Sequence, residues 1–289
     1  MDKVAFIILT YKNIDDTVEC IKSINNTQVD KCEKIVIVVD NSEDDFYIRS
    51  IKETVNVDYS LSIKNDGYAS GNNVGIKLAI KIGCKYLIVI NNDTVVDPLF
   101  ADPIISFLRD NSKVIVSPLI YSFYSKQIWS SGGKHRRLLC DYVMVNDLPK
   151  HNRKTIFLTG CCIALTSNTI DSLGLFCEDY FMYNEDSDYC YRAKKKGIGL
   201  FVIPNSVIYH KISSSSQTNS PFQLYYLYRN KILFARCNYK GFLKFYAVFI
   251  NKLKAAFKMF IFKAKGKREE AAALSFAIKD SRIKGRFRY

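Results

Sequence analysis

Three groups of residues in this chain have the types and spacing to do chemistry. Asn91-Asn92-Asp93 closes the apolar run Tyr86-Leu87-Ile88-Val89-Ile90, so a carboxylate stands at the end of a buried strand. Ligands of parallel sheets gather at that edge, where a divalent cation could meet Asp93; a strand-ending Asp also serves as an ordinary turn or cap. Tyr183-Asn184-Glu185-Asp186-Ser187-Asp188 sets three carboxylates within four residues at a helix start. The helix dipole tolerates acids at that end. Phe176, Tyr180, Phe181, Met182 and Tyr183 precede them, and such a setting partly desolvates a carboxylate and raises its basicity, as a general base requires. His210 follows Val207-Ile208-Tyr209; one histidine is more often structural, yet imidazole beside a carboxylate is a reasonable divalent-metal pair.

These groups must be positioned by elements that alternate short β-branched runs with helical stretches, the pattern of a parallel sheet covered by helices. The spacing predicts strands at 4–9, 34–39, 59–63 and 86–90, with helices at 15–24, 48–55 and 72–82. Past residue 97 the pattern loosens. Pro98 and Pro103 flank a helix start, a short strand is expected at 114–117, and 121–157, with Trp129, Gly132 and Gly133, reads as a polar, irregular insertion facing substrate. Strand character resumes at 159–165 and 199–203 around a helix at 185–196, and 213–216 reads as a short flexible stretch.

The 289 residues are 48% hydrophobic and 24% charged, which excludes disorder or a coiled coil for the bulk of the chain. Nine cysteines without a Cys-x-x-Cys pair, beside three histidines, fit neither a disulfide framework nor a zinc knuckle. A reducing cytoplasm is the expected setting, and the apolar run at 4–9 is too short for a signal-peptide core. The net charge of +14 resides in residues 229–289, where 17 Lys and Arg face three acids; the first 228 residues sum to zero. Within that tail Phe242, Tyr246, Phe249, Ile250, Leu253, Phe257, Phe260 and Ile261 fall on one helix face, with Lys240, Lys244, Lys252, Lys254, Lys258 and Lys265 off it. An aromatic face with lysines suits an interfacial helix on an anionic membrane; the alternative is that this face packs on the body. The lysines argue against a spanning helix. Without a stacking platform or helix-turn-helix pattern, the charge does not point to nucleic acid.

Taken in order, the chain resembles the family 2 glycosyltransferases with the GT-A fold, in particular the bacterial branch that builds cell-surface polysaccharides such as capsule and O-antigen and includes rhamnosyltransferases. The matching residues are Ile7-Ile8-Leu9-Thr10-Tyr11, Val39-Asp40-Asn41-Ser42, Asn65-Asp66-Gly67-Tyr68-Ala69-Ser70-Gly71-Asn72-Asn73-Val74-Gly75 and Asn91-Asn92-Asp93-Thr94. Gly174-Leu175-Phe176, Glu185-Asp186-Ser187-Asp188, Arg192, Gly197, Pro204, His210 and Arg229-Asn230 continue the string, so the resemblance covers roughly residues 3–235. It implies an α/β fold of the GT-A type, a Rossmann-like nucleotide-binding mixed sheet flanked by helices, over 1–235. A basic amphipathic helical tail, membrane-associating, is expected over 236–289.

The resemblance also implies roles. Thr10, Tyr11 and Asp40 would hold the nucleoside, and Asn65, Gly67, Gly71 and Asn72 would line the ribose and diphosphate; Asn92 completes the donor side. Asp93 would bind Mg²⁺ or Mn²⁺ with His210 as second ligand, and Asp186 would be the catalytic base. Glu185, Trp129 and Arg229 are placed on the acceptor side or in support. Asn91 and Asn92 stand where the family's metal motif carries acids, so Asp93 alone can give the metal a carboxylate there. The implied activity is inverting transfer of a sugar from a nucleotide-diphosphate sugar, dTDP-rhamnose or a UDP-hexose, to a polyprenyl-diphosphate-linked glycan. The expected location is the inner face of the cell membrane, as a peripheral protein, with a homodimer through the tail left open. Two competing readings are a non-catalytic nucleotide-binding, membrane-associated protein and a sugar nucleotidyltransferase. The latter wants a glycine-rich, basic loop after the first strand, where this chain has Thr10-Tyr11-Lys12-Asn13.

Overall fold

The computed structural model describes residues 1–212, 219–282 and 285. The 213–216 stretch lies outside the described residues, as do Lys284, Arg286 and Arg288 of the basic tail. The first half is βα-wound: β1 (Asp2–Thr10), α1 (Ile14–Asn25), β2 (Cys32–Asp40), α2 (Asp45–Thr54), β3 (Tyr59–Ser62), α3 (Tyr68–Lys81) and β4 (Tyr86–Asn91). After β5 (Thr94–Val96) and α4 (Ala101–Asp110) come β6 (Val114–Ser122), β7 (Ile128–Ser130), β8 (Gly133–Arg136), β9 (Asp141–Met144), β10 (Arg153–Thr155) and β11 (Cys162–Thr166). The chain continues through α5 (Ser167–Leu173), α6 (Glu185–Lys195), β12 (Gly199–His210), α7 (Pro221–Asn238), α8 (Gly241–Ala264) and α9 (Arg268–Asp280).

The main sheet runs β10-β12-β6-β11-β4-β1-β2-β3. Its β4-β1-β2-β3 half is parallel, whereas β11 is antiparallel to both β4 and β6. The sheet is therefore mixed. Val4, Phe6 and Ile8 of β1 face one helical layer, and Ala5 and Ile7 the other, which explains the continuous apolar run: both faces are covered. All nine cysteines are free, and Cys161 and Cys162 are buried in this core.

The structure corrects the reading of 121–157. That segment holds β7, the β8–β9 hairpin and β10, with Gly133 paired to Met144 and Arg153 to Val202. These strands are only three or four residues long, and β8 and β10 are polar throughout apart from Gly133, so no alternation was long enough to read. β6 and β12 are also longer than expected, because they pair with each other in parallel up to Ser122 and His210 across an irregularity after Ile203.

The C-terminal helices form one packed unit. Leu224, Tyr225 and Tyr226 of α7 cluster with Ala255 and Phe262 of α8, Ala271, Leu274 and Ala277 of α9, and Phe181. On α8 the protein-facing stripe is Ala247, Asn251, Ala255 and Phe262, and the predicted aromatic row is on the far side. Phe242, Phe249, Leu253, Phe257 and Phe260 are all exposed, Phe242 by 84% and Phe260 by 68%. Tyr246, Ile250 and Ile261 of the same row are half-buried, so the row is exposed along most of its length without being wholly free of the body. No helix among the described residues is long and apolar enough to cross a membrane.

Candidate active site

The carboxyl ends of β1, β2 and β4 open into a cleft of about 620 Å³ lined by Thr10, Tyr11, Asn41, Asn65, Gly67, Tyr68, Asn92 and Asp93, with Phe181, Met182, Phe222 and Tyr226 as its apolar wall. The parallel register sets this edge: Thr10 lies beside Asp40, and Leu9 beside Asn91. Asp40 is fully buried; its Oδ1 accepts from the Ser42 amide (2.9 Å) and hydroxyl, while Oδ2 has no partner. Burial pushes its carboxyl up, and the two Ser42 bonds partly offset this. A buried acceptor without a donor is costly, and Asp40 lies directly behind the cleft rather than on its lining. Asn41 Oδ1 is likewise orphaned.

Gly67 is required by space. Gly67 sits at φ +92° and a Cβ there would lie 2.2 Å from the Phe181 carbonyl oxygen, a backbone atom that cannot yield; a Cβ on Gly71 would press Leu9 Cδ1 at 2.3 Å, which the Leu9 side chain could relieve by moving. The Tyr68 amide donates to that Phe181 carbonyl (2.7 Å), which docks the apolar wall on the start of α3. Asn72 and Gly71 lie buried behind the cleft, Asn72 donating to the Tyr68 carbonyl at 3.0 Å.

The two asparagines of the metal-type motif have structural work. Asn91 Oδ1 is 3.1 Å from the Tyr68 hydroxyl, and Asn92 Nδ2 donates to Thr17 Oγ1 at 2.9 Å. The β5–β12 pairing, with His210 opposite Thr94, carries His210 Nε2 to 3.1 Å from Asp93 Oδ1. That contact lacks hydrogen-bond geometry: Asp93 Oδ1 and His210 Nδ1 are both buried and unpartnered. Asp93 Oδ1 and His210 Nε2 make an ion-pair contact as they stand, and their separation also matches cis ligands of one cation, which at about 2.1 Å sit about 3 Å apart. Among the described residues no third His, Cys, Asp or Glu joins them. Trp129 lies against the His210 ring, centroids 4.6 Å apart, so its place is beside the imidazole.

The acidic run at the start of α6 is split by its contacts. Asp188 is bound by Arg192 (2.7 Å) and Asn238 (2.8 Å) and is structural. Asp186, half-buried, accepts from the Gly160 amide at 3.2 Å and from the Ser187 amide at 2.6 Å. Burial pushes Asp186 above the ordinary carboxylate range despite those bonds. Glu185 is buried with one unpartnered oxygen and is pushed up by burial and by the Asp186 charge. Neither lines the donor cleft itself. The link is Tyr68, whose hydroxyl is 2.7 Å from the Gly160 carbonyl and also faces Asn91.

Arg229 is fully buried away from the cleft. It donates to the Asp179 carbonyl (2.6 Å) and the Gly285 carbonyl (2.6 Å), and Asn230 donates to the carbonyls of Met182 (2.7 Å) and Tyr183 (2.9 Å). These bonds hold the turn in which Tyr183 (φ +67°) and Asn184 (φ +71°) are both left-handed before α6 begins. Sequence reasoning assigned no role to Asn41, Tyr68, Phe222 or Tyr226. Asn41 and Tyr68 sat inside quoted motifs, and so had a signal; Phe222 and Tyr226 reach the cleft only because α7 crosses it, which no local pattern announces.

The family model described as glycosyl transferase family 2 matches residues 5–170, more than half of the chain. The chain is 25% identical over 238 residues to the low-salt glycan biosynthesis hexosyltransferase Agl10 of Haloferax volcanii, covering 81% of this chain and 75% of that protein. It is 20% identical over 212 residues to the dTDP-rhamnosyl transferase RfbF of Shigella flexneri, covering 71% of each. The fold is shared with GalNAc-T7, crystallised with UDP, GalNAc and Mn²⁺, at a TM-score of 0.65 and 15% identity, over 82% of this chain and 50% of that one. It is shared with TarS of S. aureus at a TM-score of 0.55 and 16% identity, over 90% of this chain and 43% of that one. The chain thus spans half or less of these two solved structures. A mixed sheet with a nucleotide-sized cleft at its carboxyl edge and a family match across that sheet lead to one conclusion: this chain belongs to glycosyl transferase family 2.

Proposed function

We propose that the protein transfers a hexosyl or rhamnosyl group from a nucleotide-diphosphate sugar, dTDP-rhamnose or a UDP-hexose, to a lipid-linked glycan at the membrane surface, with inversion. The observation that carries the reading is the Asp93–His210 convergence at the rim of the cleft. Asp93 and His210 would hold Mg²⁺ or Mn²⁺, whose chemistry is to neutralise the charge developing on a leaving diphosphate. Asp40 Oδ2 accepts a hydrogen bond from the pyrimidine ring, with Thr10 and Tyr11 beside the nucleoside. Asn65 and the close backbone approach at Gly67 receive the ribose and phosphates.

Asp186 takes the proton from the acceptor hydroxyl as it attacks the anomeric carbon opposite the leaving group; one base and one in-line displacement invert the configuration. Its burial suits a general base, and the Gly160 and Ser187 amides fix its orientation. The hexosyl and rhamnosyl activities in the names of the relatives support the donor class, and the exposed aromatic, lysine-flanked face of α8 supports a membrane-borne acceptor.

The test is transfer from a panel of dTDP- and UDP-sugars to a polyprenyl-diphosphate-linked saccharide, with the product anomer read by NMR. An inverted product from one donor, dependent on Mn²⁺ or Mg²⁺, is expected. A retained configuration would overturn the single-displacement role of Asp186.

A further inference from the structure

Where α7 meets α8, Arg236, Lys244 and Lys252 surround a hollow of about 430 Å³ floored by Gly241, Phe245, Val248 and Phe249. Among the described residues no acidic side chain pairs with any of the three cations, and the 240–268 stretch contains no Asp or Glu. Burial pushes the Lys252 pKa down, and the nearby Arg282 and Arg236 charges add to it. Like charges held together around an apolar floor, with no internal counter-ion, call for an anion from outside. The same floor is continuous with the exposed row of α8: Phe245 is 80% exposed, and Phe249, Leu253 and Phe257 follow along the helix.

We propose that this hollow seats the phosphate of one anionic phospholipid headgroup, while the aromatic row beside it enters the acyl boundary. The proposal deepens, and rests on, the membrane association proposed above. The pairing of chemistries is specific. A soluble anion would use the three cations but leave the adjoining aromatics in water, whereas a lipid satisfies both: phosphate to the cations, chain region to the rings. Phe222 and Tyr226 of the cleft wall and Arg236 of the seat lie on one helix, α7. Phe222 and Arg236 are separated by 14 residues, about 21 Å of helix rise at 1.5 Å per residue. A phosphate seated at Arg236 would therefore be held at a fixed distance from the donor cleft, which suits an acceptor tethered at the same surface.

The experiment is vesicle flotation of the full chain with phosphatidylcholine alone and with added phosphatidylglycerol, comparing wild type, K244A/K252A and the control pair K263A/K265A, which lies outside the hollow on the same helix and its C-terminal end. At about fivefold per basic residue near the surface, K244A/K252A is expected to weaken partitioning to anionic vesicles about 30-fold and the control pair clearly less. Inorganic phosphate, set against chloride at equal ionic strength, is expected to compete with wild type but not with K244A/K252A. Equal losses in the two pairs would overturn the seat in favour of diffuse charge, while leaving membrane association standing. Binding of phosphate without any vesicle binding would overturn the lipid as occupant. Absence of wild-type binding to every vesicle and to phosphate would overturn both this proposal and the membrane reading beneath it.

Discussion

At the scale of single residues, the site separates carboxylates by what else they hold. Asp188 is tied by Arg192 and Asn238, Asp40 is half-satisfied by Ser42, Asp186 accepts backbone amides on both oxygens, and Asp93 faces His210. Asp186→Asn is expected to lower kcat by about 10²–10⁴ while leaving nucleotide affinity unchanged, checked by steady-state kinetics beside calorimetric binding. Because burial raises the Asp186 carboxyl, activity should fall as pH drops through a midpoint above the ordinary value of about 4. The sign for stability is opposite in kind: the raised carboxyl costs stability above its folded pKa, and that cost vanishes below about 4, where both states are protonated. An acid limb of kcat/KM at or below 4 would contradict the burial argument. Asp93, Asp186 and His210 could be singled out in the sequence because each follows an apolar run, and a polar residue at a strand end or a helix start is visible locally. Tyr68 lies inside a matching motif, but its partner was not legible: Gly160, 92 residues away, comes within 2.7 Å of its hydroxyl.

At the scale of elements, strands buried on both faces were the most legible. β1, β2 and β4 are runs of Val, Ile and Leu whose ends the spacing located within two residues. α3 begins at Tyr68, four residues before the expected start, because the glycine- and asparagine-rich opening lacks apolar periodicity and is held by tertiary contacts. Asn73, for example, donates to the Phe176 carbonyl and accepts from the Phe176 amide. The loop 176–184 is fixed in the same manner from α7. Asn230→Ala should leave the Met182 and Tyr183 carbonyls buried without donors, a loss of about 2 kcal/mol or more. The expected result is a lower Tm and a raised KM for donor, since Phe181 and Met182 form the cleft wall. Unchanged donor KM with lowered Tm would restrict Asn230 to a stabilising role.

At the scale of the whole molecule, charge and architecture divide differently. The sequence splits into a neutral body and a basic tail near residue 235, yet α7 runs through that point and packs with α8 and α9 around Phe181 and Tyr226 of the cleft. Charge counting saw the tail's sign but not its packing, because the buried stripe of α8 and α9 is mostly alanine, which carries little hydrophobic signal. Deleting 236–289 is therefore expected to weaken nucleotide binding as well as vesicle binding. A truncated chain that bound nucleotide normally would show that the cleft wall stands without α8 and α9.

Asp93 and His210 are expected to make donor binding depend on a divalent cation. Thermal shift with dTDP and UDP, with and without Mn²⁺, for wild type and Asp93→Ala tests it most directly, since a ligand at 100 times its Kd stabilises by about 2.7 kcal/mol. A shift that one nucleotide produces only with Mn²⁺, and that disappears in Asp93→Ala, is the predicted result. The same shift without metal, or retained in Asp93→Ala, would contradict it.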